Sequence, residues 1–91
     1  MNYQKKILEK AMTMEFTCLT RDAVAREAGV SAGMVNKCFG TIDGLRRAVI
    51  VEAVRTENLL IIAQGFAQGY EEARQISECL KTRALAYLGA L

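Results

Sequence analysis

The chain has 91 residues, 52% of them apolar, with 12 basic and 10 acidic side chains and no histidine, proline or tryptophan. That apolar share excludes a disordered chain, and the length suits one small domain that buries roughly 60–65% of its unfolded surface. Without histidine there is no imidazole-dependent triad and no histidine-ligated metal site, and a net charge of +2 does not by itself announce a nucleic-acid binder.

No stretch alternates at period two, and the residues that lose least on entering a helix are abundant throughout. The expectation is an all-α protein of about five helices. The first should run from about Tyr3 to Met14, with Ile7, Leu8, Ala11 and Met14 on one face. Thr20 then offers an N-cap hydroxyl, and Asp22 complements the positive end of a second helix, Arg21 to Ala28, stopped by Gly29. Ser31 repeats the cap for a third helix, Ala32 to Phe39, ended by Gly40. Thr41 and Asp43 open a fourth helix at Ile42, which the apolar run Leu59-Leu60-Ile61-Ile62-Ala63 is expected to carry on to about Gln64. Gly65 and Gly69 mark a bend. A fifth helix, about Tyr70 to Leu88, places Ala73, Ile76, Leu80, Ala84 and Tyr87 or Leu88 on one face. Residues 1–50 read as a head and 51–91 as a helical extension.

Two short helices joined by a glycine-containing turn make a helix-turn-helix unit. Val24, Ala25, Ala28, Val30 and Val35 form its expected inner seam, with Ala25 small because the helices approach closely there. Gly29 must tolerate a left-handed backbone in the turn. Val35 and Cys38 are expected to seat the later helix on the first helix of the head. An ordinary helical hairpin would have the same seam. The caps, the glycine and the small alanine agree with one another, which favours the DNA-reading form.

The run Ala28-Gly29-Val30-Ser31-Ala32-Gly33-Met34-Val35, followed by Phe39, Thr41 and Leu45, resembles the DNA-binding domain of TetR-family transcriptional repressors. The resemblance covers about residues 20 to 50, with a weaker Ile-Leu start at Ile7 and Leu8. It implies a three-helix head, a third helix in the major groove and a fourth helix linking head to body. The chain departs from that pattern at several places. Asn36 stands at the family's tyrosine position, Cys38 at an aromatic one, and Ile42 where a phosphate-binding lysine usually opens the fourth helix. The segment Ile7 to Thr20 is shorter than the family's. Only about 40 residues follow the head, so no small-molecule effector is expected.

In such a unit Ser31, Ala32, Gly33 and Met34 begin the reading helix, where base contacts are made. Asn36 can pair bidentately with adenine, and Lys37 can reach a guanine edge or a phosphate. Thr20, Arg21 and Thr41 stand at helix starts suited to phosphate oxygens, and Arg46, Arg47, Lys5 and Lys6 add cations. Residues 1–55 hold nine basic and six acidic side chains, a balance of +3; residues 56–91 hold three and four, a balance of −1. The excess lies with the motif, as an electrostatic footprint should.

Operators are commonly read by two-fold dimers with half-sites about 34 Å apart. Leu59, Leu60, Ile62, Phe66, Ile76, Leu80, Ala84 and Leu88 are therefore expected to form much of a homodimer interface. The expected partners are double-stranded DNA and a second copy of the chain, with no membrane and no cofactor. Two other readings share these features. A helix-turn-helix assembly protein, such as a phage terminase small subunit, would form rings; a helical protein-interaction module would not bind DNA. An enzyme is not expected, since no glycine-rich phosphate loop occurs and the carboxylates are scattered. The charged amino terminus lacks the apolar stretch of a signal peptide, and Cys18, Cys38 and Cys79 are an odd set without CxxC spacing. They are read as small apolar residues of a reduced, cytoplasmic protein.

Overall fold

The computed structural model describes residues 2–90, with side chains described for residues 2–87. Regular structure among these residues is entirely helical: α1 Tyr3–Met12, a 3-10 turn Phe16–Cys18, α2 Arg21–Ala28, α3 Ala32–Phe39, α4 Ile42–Thr56, α5 Leu59–Ala67, α6 Glu71–Arg74 and α7 Glu78–Ala90. The all-α class is as expected. Seven α-helices replace the expected five because each of the two long ones is divided. The chain forms two compact units, Met1–Val49 and Ile50–Leu91, and α4 contributes residues to both.

In the first unit α1 packs on α2 and α3, and α2 on α3. Its core is Ile7, Ala11, Phe16, Leu19, Val24, Ala25, Ala28, Val35, Leu45 and Val49, all buried. α1 stops at Met12, two residues early, because the Thr13 hydroxyl donates to the Lys10 carbonyl at 2.7 Å and its amide turns back to the same turn. The 3-10 turn then brings Phe16 and Leu19, three residues apart, to the same side. Burying each contributes about 1.5–3 kcal/mol. That geometry leaves Cys18 outside, and Cys79, beside the buried Leu80, is outside as well. Only Cys38, half-buried, approaches the packing role expected of all three.

In the second unit the expected continuation of α4 to Gln64 fails after Thr56. Glu57 takes a left-handed backbone, φ 56°. Its amide donates to Val54 O at 3.3 Å, and that of Asn58 to Ala53 O at 2.8 Å, which closes the helix in a Schellman turn. The Asn58 side chain accepts from the Ile61 amide at 3.3 Å and starts α5. α5 packs against α6 and α7 and buries Ile61, Ile62 and Ala63. Gly65 is not part of the bend. It lies within α5, where an added Cβ would come within 2.8 Å of Ile50 Cδ1, and the chain turns at Gly69, φ 83°. The expected fifth helix is likewise interrupted: the Ser77 hydroxyl accepts from the Leu80 amide at 3.2 Å and opens α7. No described helix is long and apolar enough to cross a membrane.

Candidate nucleic-acid interface

α2 buries Val24, Ala25 and Ala28, which leaves its charged residues Arg21, Asp22, Arg26 and Glu27 outside. Thr20 caps it by accepting from the Ala23 amide at 3.1 Å. Gly29 ends it at φ 71°, with Val30 N donating to Ala25 O at 3.0 Å and Gly29 N to Arg26 O at 3.3 Å. A residue with a Cβ would be strained there, so this turn depends on glycine. The Ser31 hydroxyl accepts from the Met34 amide at 3.1 Å and starts α3 at once. Val35 is the buried anchor of α3, while Val30 and Cys38 are half-buried.

The opposite side of α3 is open. Ser31, Gly33 and Lys37 are exposed, and Ala32, Met34 and Asn36 are half-buried. An added Cβ at Gly33 would meet only the Ser31 hydroxyl, 3.9 Å away, so this surface permits close approach by another molecule.

Beside α3 lies an open concavity of about 420 Å3, lined by Thr20, Arg21, Asp22, Asn36, Gly40, Thr41, Ile42 and Arg46. It brings together the starts of α2 and α4. The Thr41 hydroxyl accepts from the Gly44 amide at 3.1 Å, as Thr20 does for α2. The first amides of each helix have no intrahelical partner and carry the positive end of the helix dipole. Arg46 Nη2 donates to the Leu19 carbonyl at 2.8 Å, across from α4 to the residue ahead of the α2 cap. Arg21 Nε lies 3.8 Å from Asp22 Oδ1.

The expected site residues therefore fall into groups. Thr20, Arg21, Asn36 and Thr41 share the concavity, Ser31, Ala32 and Gly33 form the start of α3, and Met34 and Lys37 line a second groove with Asn2, Tyr3, Gln4 and Cys38. Arg47 lies in neither; it is paired with Asp43 at 2.9 Å. Arg46 emerges with a larger role than sequence reasoning assigned it. Its signal was available, one turn after Ile42 on the same helix face, but its partner Leu19 is 27 residues away.

No protein-family model, curated protein or solved structure matches the chain. The functional reading therefore rests on the chain's own residues.

The residues expected at a dimer interface also divide. Ile62, Leu80 and Ala84 are buried within the second unit, so they hold its own core together and have no surface for a second copy. The side chain of Leu88 lies outside those described. Leu59, Phe66 and Ile76 are half-buried, and Leu60 is 42% exposed. Leu85 and Tyr87, not singled out as certain members of the apolar face, are exposed at 37% and 44%. The Arg74 guanidinium stands 5.9 Å from the Phe66 ring centre, which covers part of that ring.

Proposed function

We propose that the chain is a sequence-specific DNA-binding transcription regulator of the helix-turn-helix type, acting as a homodimer on a two-fold site. The observation that carries the reading is the start of α3: a capped, exposed, small-residue surface at Ser31 and Gly33, flanked by a cleft that joins two helix starts and two arginines. The resemblance of residues 28–45 to the TetR-family head supports the same assignment and favours repression. α3 would lie in the major groove with its first residues at base edges, and the starts of α2 and α4 would meet phosphates. Dimerisation is supported by the exposed Leu60, Leu85 and Tyr87 of the second unit and by the gain in affinity from two linked heads.

Selection of bound sites from a pool of random duplexes tests this directly. A palindromic site with half-sites about one helical turn apart is the expected result. Recovery of no preferred sequence, with no loss of binding as salt rises, would remove the DNA reading and leave a protein-interaction module. Rings larger than a dimer in sedimentation would favour the assembly-protein reading instead.

A further inference from the structure

α3 has two flanks, and they face different neighbours. Successive residues of a helix point about 100° apart. Asn36 borders the cleft beside the starts of α2 and α4. Met34, about 200° round the helix from it, borders a groove against the first turn of α1. Gly33 and Lys37 form the exposed crest between the two. The α1 groove, about 600 Å3, is lined by Asn2, Tyr3, Gln4, Met34, Lys37 and Cys38. The Asn2 side chain accepts from the Lys5 amide at 3.0 Å, which fixes the turn that carries Tyr3 and Gln4. Met34 and Cys38 are half-buried, while Gln4, Lys37 and Tyr3 are exposed. No acidic residue is among those lining the groove. Lys37 has no ion-pair partner among the described residues, unlike Arg21 and Arg47, which pair with Asp22 and Asp43.

Size decides what such a surface meets. An α-helix with its side chains is about 10–12 Å across, and the major groove is about 12 Å wide. A helix lying in that groove therefore has a sugar–phosphate strand along each flank. The starts of α2 and α4 answer only one of them. We propose that the groove between α1 and α3 takes the backbone of the other strand, with Lys37 as its cation and Tyr3 and Gln4 as neutral donors. The proposal rests on the DNA reading and adds α1 to it. It assigns Lys37 to a phosphate rather than to a guanine edge. The Tyr3 phenol and the Gln4 amide can each donate to a phosphate oxygen. Met34 and Cys38 offer apolar contact to the deoxyribose beside it. The charges are complementary: the polyanion meets a cation, and the groove presents no opposing carboxylate.

Titration of two short duplexes, one all A·T and one all G·C, over a range of salt concentrations tests the assignment. Lys37→Ala should weaken binding to both duplexes equally, by several-fold, and lower the salt slope by about one. Tyr3→Phe and Gln4→Ala should also weaken both several-fold, with the slope unchanged because neither removes a charge. Lys5→Ala is the control, since it removes the same charge from another place. Lys5 stands two residues before the buried Ile7, on the side of α1 away from the core. All the altered side chains are exposed, so coincident unfolding curves should show that every variant folds. A Lys37→Ala loss no larger than that of Lys5→Ala would reduce the effect to general charge and overturn the proposal. A loss confined to the G·C duplex would overturn it too, by putting Lys37 at a base edge. So would Tyr3→Phe and Gln4→Ala both binding as the wild type does, which would take α1 out of the contact. In each of these cases the DNA reading stands. If the wild-type chain binds neither duplex, the DNA reading falls and the groove assignment falls with it.

Discussion

On the proposed DNA reading, Gly33 separates stability from recognition at a single position. It lies in the first turn of α3, exposed, with open space where a side chain would begin. Replacing glycine in a helix gains about 0.5–1 kcal/mol, so Gly33→Leu should unfold no earlier than the wild-type chain. The leucine would nevertheless stand off the groove floor, and duplex binding should be lost. A Gly33→Leu variant that binds DNA normally would show that α3 does not enter a groove by this surface. Asn36 tests the proposed role of α3 in another way. It is half-buried at the edge of the cleft rather than fully displayed. On the base-reading assignment Asn36→Ala should cost about 1–3 kcal/mol at one base position and little at the others, as measured by competition among single-base variants of the selected site. Equal losses on every duplex would remove the base-reading role from Asn36.

At the scale of elements, the division of the expected fourth helix turns on Glu57. Its φ of 56° is the single left-handed non-glycine residue among those described. An L-residue there costs on the order of 1 kcal/mol. Its carboxylate partly offsets this by pairing with Arg83 at 2.7 Å, an exposed contact worth about 0–1 kcal/mol. The two contributions separate in a pair of variants. Glu57→Ala and Glu57→Gly both lose the ion pair, but glycine relieves the backbone, so Glu57→Gly should be more stable than Glu57→Ala by about 1 kcal/mol in denaturant unfolding. Equal stabilities would mean that α4 runs on into α5 in solution, as the apolar run Leu59 to Ala63 alone would suggest. Nearby, Arg55 holds the Glu52 carboxyl below its usual range through their side-chain hydrogen bond. That exposed pair supports the last turn of α4 where the closing turn begins.

At the scale of the whole molecule, Ile62 and Leu60 contrast an apolar residue that serves the chain's own core with one left on the surface, where the proposed dimer would use it. Ile62 is fully buried and Leu60, two positions away on the other side of α5, is 42% exposed. Ile62→Ala should lower stability by about 2–5 kcal/mol through the cavity it leaves. Leu60→Asp should leave the unfolding of isolated chains within about 0.5 kcal/mol, as surface changes do, yet shift sedimentation at micromolar concentration from a dimer to a 10.0 kDa species. A chain that sediments as a monomer before any substitution would remove the dimer from the proposal.

The sequence by itself determined the all-α class and the positions of α2, α3 and the start of α4. Each of these is set by local chemistry: Thr20, Ser31 and Thr41 as caps, and Gly29 as the left-handed stop. It also placed Val24, Ala25, Ala28 and Val35 inside, because a seam between two short helices follows directly from helical spacing. Tertiary structure decided what depends on distant partners. The breaks at Glu57 and at Ser77 carry no proline or glycine; Asn58 and Ser77 cap the helices that follow, but the apolar run Leu59 to Ala63 and the helical spacing of Ala73 to Ala84 favour continuous helices when the sequence is read alone. Packing likewise turned Ile62, Leu80 and Ala84 inward, put Cys18 and Cys79 on the surface, and joined Arg46 to Leu19. Periodicity shows that a face is apolar; only the packed chain shows whether its own residues cover it.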